Sequence, residues 1–357
     1  MNFFESDQRT ALESKEKAQW IAFAPVVFQT ARVLRNTGIL AIIEAEKEGI
    51  TIEKVVEKSN LPHYGVRVLM EAGLGTELLT CKDNIFKTTK IAFFILHDTL
   101  TQINMDFVHD VCYNGMFFLE ESIRNEKPEG LKVFGKWPTI YEGLSKLPRQ
   151  VQQSWFGFDH FFSDQAFPEV LSHVFKNKPK RILDIGGNTG RWSIQCVQYD
   201  PTVSMTIMDL PGQVGIAKEE IAKKGFSDRI HFHECNILDE AQPFPTGFDA
   251  IWMSQFLDCF SDAEIKSILT RCKKALEPGG SVYILETFWD RQRFEVAAFS
   301  LQQISLYFTA MANGNSQMYL YANFVKCIEA AGLEVVEQKD MIGLSHTLLT
   351  CKVKKEA

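Results

Sequence analysis

From residue 181 onward, apolar runs of strand length alternate with amphipathic helical stretches, and this pattern narrows the possible folds more than any other. The strand candidates are 181–185, 203–208, 230–233, 248–253 and 281–286. Helix candidates at 191–198, 213–224, 262–276 and 318–331 alternate with them or follow them. A strand that returns parallel to its neighbour needs a crossover, usually a helix. The alternation therefore predicts an α/β fold, a mostly parallel sheet with helices on both faces. Two last strands, 333–338 and 346–353, are joined without a helix and are expected as an antiparallel hairpin at the sheet edge.

The first half is different. Residues 20–44 carry Val26, Val27, Ala31 and Leu34, then Ile39, Leu40 and Ile43, at helical spacing. Thr51 can cap a helix over 52–58, with Glu53 and Glu57 favouring its first turns. Ser59-Asn60-Leu61-Pro62 leads to a second helix over 63–72, which Gly73 and Gly75 are expected to stop. A hairpin follows, 78–81 and 85–88, around the turn Lys82-Asp83-Asn84. Helix, helix, hairpin is a winged-helix order. Residues 99–175 read as further helices, broken near Lys127-Pro128 and Trp137-Pro138. A short polar stretch at 177–180 then separates a helical domain, 1–176, from an α/β domain, 177–357, and 357 residues suffice for two cores.

A winged helix often reads DNA, which requires several cations on one face. Residues 51–90 hold six Lys/Arg against five Asp/Glu, and the second helix offers Arg67 and Glu71 without a basic stripe. With a net charge of −7, no nucleic-acid partner is expected. No apolar run approaches the roughly 18–20 residues of a membrane-spanning helix, and the N-terminus lacks a signal-peptide pattern. The eight cysteines are scattered without a CxxC pair, which suits a reducing compartment, so a cytoplasmic location is expected. No metal site is expected; His231 and His233 share a strand face but have no evident third ligand.

The strand at 181–185 runs into Gly186-Gly187-Asn188-Thr189-Gly190 and then a helix. Glycine lets a backbone pass close to a ligand and take φ > 0, and Asn tolerates the same region. A dinucleotide fingerprint would need glycine where Asn188 and Arg191 stand, so that reading fails twice. The next strand ends at Asp209, 19 residues after Gly190, where a carboxylate can accept hydrogen bonds from both ribose hydroxyls. Asn236, just past the third strand, can donate to and accept from an adenine edge. Three such features at successive strand ends point to a nucleoside.

At these residues the chain resembles the class I S-adenosylmethionine-dependent methyltransferases. It is most similar to the plant-type small-molecule O-methyltransferases and their bacterial relatives, which include caffeic acid and hydroxyindole O-methyltransferases. LDIGGNTG (183–190), MDLPGQV (208–214), LEPGGSVYILE (276–286) and FGKWPTIYEGLSKLP (134–148) carry the resemblance. It implies a Rossmann-like methyltransferase sheet preceded by a winged-helix dimerisation domain, a homodimer, and S-adenosyl-L-methionine as methyl donor. It places Gly186, Gly187, Asn188 and Gly190 around the methionine part and Asp209 on the ribose. Leu210 would pack on the adenine, which Asn236 and Ile237 would flank. Ser163 and Ser254 fall where the family contacts the methionine moiety and its carboxylate; the family often has Lys at the position of Ser254 and Asp at that of Asn236.

Members that methylate phenols carry His-Asp-Trp after the fourth strand of the α/β sheet. Here Asp258-Cys259-Phe260 stands there, which puts Asp258 in the place of the basic His, while Glu286 matches a supporting carboxylate. His160 is the other candidate base. The resemblance implies transfer to an oxygen of an aromatic, phenolic or quinone-like small molecule. The absent His leaves open C-methylation, or a silent donor-binding or regulatory protein.

Overall fold

The computed structural model describes residues 4–355, with the side chains of Ser163 and Asp164 outside that description. The chain forms two compact units, one up to Val108 and one from His109 onward. This division by compactness falls before the polar stretch at 177–180. The helices after His109 resemble the first half in composition, yet the longest of them packs against the sheet.

In the first unit, α1 (Ala11–Asn36) begins with a capping box: the Glu13 amide donates to Thr10 Oγ1, and Glu13 accepts from the Thr10 amide. Gly38, at φ 78°, turns the chain into α2 (Ile39–Glu44). Thr51 caps α3 (Ile52–Ser59) as expected. The next helix, α4 (His63–Gly75), runs through Gly73. That glycine does not break the helix; a Cβ there would lie 2.9 Å from Leu79 Cδ1, so it makes room for the hairpin. Strands β1 (Leu79–Lys82) and β2 (Ile85–Thr88) join through Asp83 and Asn84, both at positive φ as a two-residue hairpin turn demands. Helices α5 (Lys90–His97) and α6 (Thr99–Phe107) complete the unit. Leu34, Leu40, Val55, Val66 and Met70 form its core, whereas Ile21, Phe23 and Val26 on α1 stay more than half exposed.

The second unit begins with α7 (Leu119–Asn125), α8 (Ile140–Gly143) and α9 (Arg149–Val174). Its strands are β3 (Arg181–Ile185), β4 (Ser204–Asp209), β5 (Ile230–Glu234), β6 (Phe248–Ser254), β7 (Leu276–Glu286), β8 (Leu333–Ile342) and β9 (His346–Val353). They form one sheet in the order β5-β4-β3-β6-β7-β9-β8. The first five are parallel, and β9 runs antiparallel to both β7 and β8. The last two strands do form a hairpin, but only β8 lies at the edge. β9 is buried over its first six residues, as its unbroken apolar and Thr-rich sequence suits an interior strand.

Helices cover both faces. The C-terminal half of α9 packs with α10 (Arg191–Tyr199) and α11 (Pro211–Lys224) on one side; α12 (Asp262–Ala275) and α14 (Tyr321–Ala330) pack on the other. Helix α13 (Glu295–Tyr307), unforeseen in the sequence, precedes α14. Among the described residues no helix is long and apolar enough to cross a membrane.

Candidate active site

Between β3 and its neighbours the strand order reverses: β4 lies on one side and β6 on the other. Crevices at such a point, beyond the carboxyl ends of the strands, are where open α/β sheets bind ligands. The Gly-rich turn occupies it. Gly186, Asn188 and Gly190 take φ of 72°, 48° and 80°. The Gly186 amide donates to Met208 O at 2.9 Å, which ties the turn to β4. Gly187 sits on Asp184, whose carboxylate accepts from Ser193 Oγ at 2.6 Å; burial pushes that carboxyl up to about 7.

Asp209, at the tip of β4, accepts the Asn188 amide at 2.9 Å and the Leu210 amide at 2.7 Å. Burial outweighs these two amides and raises its carboxyl to about 6. Each carboxylate oxygen has a second lone pair, so both amides leave acceptor capacity for a ligand hydroxyl. Asn236 is exposed past β5, where its Oδ1 accepts the Leu238 amide, and Ile237 beside it packs on the core.

Asn188 Oδ1 and Ser254 Oγ, the latter at the tip of β6, belong to the polar atoms buried without a hydrogen-bond partner among the described residues. Leaving a buried polar atom unpaired costs about 1–3 kcal/mol. A ligand with an ammonium and a carboxylate could satisfy both. The residues present therefore fit a polar amino-acid end beside a ribose. Ser163 lies on α9, but its side chain is outside the described residues.

The turn after β6 carries the second cluster. Gln255 takes φ 47°, and a short 3-10 turn, Leu257–Cys259, follows. Glu286, at the end of β7 and 1% exposed, accepts the amides of Phe256 and Leu257 through Oε1 at 2.9 and 2.8 Å. Its Oε1 is thus engaged with backbone, a contact that no local motif announces, while Oε2 is buried without a hydrogen-bond partner among the described residues. Asp258 is 5% exposed and accepts from Cys259 Sγ at 3.4 Å. Burial raises the Asp258 carboxyl to about 6; burial and the Asp258 charge hold Glu286 well above the ordinary carboxylate range. Asp258 and Glu286 therefore come together as expected, with Glu286 facing backbone.

His160 lies on α9, stacked on Phe156 at 5.7 Å, with Nε2 3.9 Å from Asp159 Oδ2. It is Asp159 that links α9 to the Gly-rich turn, accepting from Asn188 Nδ2 at 3.3 Å. Nearby, Trp155 Nε1 donates to Tyr307 Oη at 2.7 Å, and burial raises the hydroxyls of Tyr307 and Tyr141, the latter beside Cys259. Asp159, Trp155, Tyr141 and Tyr307 belong to no motif in the sequence that marks them as site residues.

Comparison with known proteins agrees with this geometry. The O-methyltransferase domain family matches residues 118–334, and a Dimerisation2-like domain matches 15–86. The chain is 24% identical over 321 residues to an L-tyrosine C(3)-methyltransferase of Streptomyces lavendulae, covering 89% of this chain and 86% of that one. It is 31% identical over 262 residues to a demethylspheroidene O-methyltransferase of Cereibacter sphaeroides, covering 72% and 68%. Among solved structures, the O-methyltransferase NcsB1 from neocarzinostatin biosynthesis, in complex with S-adenosylmethionine and 2-hydroxy-5-methyl naphthoic acid, superposes with a TM-score of 0.67. That match is 17% identical and covers 91% of this chain and 95% of that one.

Proposed function

The chain belongs to the O-methyltransferase family, and on that premise we propose that it transfers a methyl group from S-adenosyl-L-methionine to an oxygen of an aromatic small molecule. The observation that carries the reading is that Asn188 Oδ1 and Ser254 Oγ, at the switch point beside Asp209, are buried without a hydrogen-bond partner among the described residues. The bound donor supplies a methyl activated on a sulfonium. Asp209 holds the ribose, Leu210 packs on the adenine, and Asn236 with Ile237 flanks it. Gly186, Gly187 and Gly190 let the backbone approach, while Asn188 and Ser254 bind the amino-acid end.

Transfer from a sulfonium is a displacement, and in-line positioning is its main demand. A phenol of pKa about 10 is neutral at pH 7, so its proton must leave. Asp258, held near 6, is a stronger base than an ordinary aspartate. The remaining gap of about four units is worth roughly 5 kcal/mol, too much for full ionisation ahead of transfer. Asp258 therefore takes the hydroxyl proton as the oxygen gains the methyl. Glu286 fixes the turn that carries Asp258, and His160 is the alternative base. The likeness to a tyrosine C(3)-methyltransferase supports a second reading, transfer to a ring carbon beside a hydroxyl, which needs the same proton removed.

The functional unit is a homodimer formed through the first unit, whose α1 exposes Ile21, Phe23 and Val26. The reduced cysteines suit a cytoplasmic enzyme. Asp209→Ala should weaken donor binding by about 1.5–3 kcal/mol, the scale of hydrogen bonds to a charged group. Calorimetry that finds the variant binding as tightly as wild type rejects the ribose assignment. Labelled donor offered with phenolic and quinone-like acceptors, followed by NMR of the product, separates oxygen from carbon transfer.

A further inference from the structure

We propose that the Phe256 ring recognises the positive charge of the donor's sulfonium, and so distinguishes the charged donor from the neutral demethylated product. The proposal rests on the donor site described above. The nucleoside end of that site belongs to β4, through Asp209, and the acceptor's proton belongs to the turn after β6, through Asp258. The reacting sulfur has to lie between them, because the methyl must reach the acceptor atom at about 3–3.5 Å. Gly186 and Phe256 occupy that interval.

The Phe256 ring packs directly on Gly186: a Cβ at that glycine would run into the ring. The ring is half-buried, and a second aromatic supports it, with the Phe260 centroid at 4.9 Å and the planes at 62°. Its backbone is pinned because the Phe256 amide donates to Glu286 Oε1. Gly186 is pinned on the other side by its own amide bond to Met208. A rigid, partly exposed aromatic thus borders the path from ribose to acceptor. The carboxylates of the site already accept from protein groups: Glu286 from the Phe256 and Leu257 amides, Asp209 from two amides and Asp258 from Cys259.

Aromatic faces carry a negative quadrupole and attract cations, more strongly once water is displaced. A sulfonium is such a cation, and the thioether left after transfer carries no charge. The ring contact is therefore worth more to the donor than to the product, which favours product release at equal shape.

Calorimetric titration of the full chain with S-adenosylmethionine and with S-adenosylhomocysteine tests this. F256L should weaken donor binding about five- to thirtyfold, the range of a cation–π contact between exposed and desolvated settings. It should change product binding less than about twofold, because the contact it removes acts on a cation. F256Y should keep both affinities. Equal weakening for the two nucleosides, or none for the donor, overturns the proposal. Should F256L not fold, F256M carries the same comparison. A wild-type chain that binds neither nucleoside overturns the donor-site reading itself, and the proposal with it.

Discussion

Glu286 Oε1 accepts the Leu257 amide proton at 2.8 Å, so the last residue of β7 holds the first turn after β6. Removing the carboxylate leaves this amide and that of Phe256 unpaired in the interior. Glu286→Ala should cost about 2 kcal/mol or more in urea unfolding, while Glu286→Gln, which keeps the accepting oxygen, should cost less than about 1 kcal/mol. Equal stability of Glu286→Ala and wild type would show that the clamp contributes nothing.

Asp258→Asn and His160→Ala should leave donor binding intact. One of them should lower turnover at least about a hundredfold, the lower bound for a side-chain base. If Asp258 is that base, wild-type turnover rises with pH through about 6, as its carboxyl ionises, and then levels. The rising limb should vanish in Asp258→Asn. Near-wild-type rates in both variants would exclude a side-chain base and leave catalysis to proximity.

Asp184 lies buried under the Gly-rich turn with its carboxyl raised to about 7, against about 3.9 in an unfolded chain. The folded state then holds a proton that the unfolded state releases. Its contribution is fully present below pH 4 and is lost as pH rises through 7. Asp184→Asn, which keeps an acceptor for Ser193, should stabilise the ligand-free protein at pH 8 by on the order of 2–4 kcal/mol. The gain should shrink towards pH 5. A gain independent of pH, read from unfolding curves at both values, would contradict the assignment.

The exposed apolar face of α1 should disappear into a second copy. Light scattering at micromolar concentration should give twice the 40.7 kDa chain mass, since obligate interfaces typically bury about 2,000 Å² or more. Phe23→Asp should give the single-chain mass. A wild-type monomer would refute the dimer.

The inner parallel strands were legible because they are buried on both faces and read as nearly continuous apolar runs, as 248–253 does, whereas the edge strand β5 is half-exposed. Helix α13 was not, since Phe294, Val296 and Phe299 near its start remain more than half exposed and blur its apolar stripe. The division by compactness at Val108 leaves no compositional mark for a related reason. Val170 and Val174 of α9 pack with Ile182 and Trp192, and composition does not record which core a helix joins. The Gly-rich turn and Asp209 could be found because strand-end chemistry is local. The Glu286 clamp and the Asp159–Asn188 bond each span about thirty residues of sequence, and nothing at either end announces the other.

The placement of β9 between β7 and β8 has a consequence for how the chain comes into being. Until residues 346–353 have left the ribosome, β7 has no partner on one side, and its open edge can pair with another nascent chain. The parallel strands can dock early, but the sheet closes only when this late segment inserts between two strands made before it. A ribosome that stalls short of residue 346 should therefore release an aggregating product, and chaperone dependence should concentrate in the interval before residues 346–353 emerge.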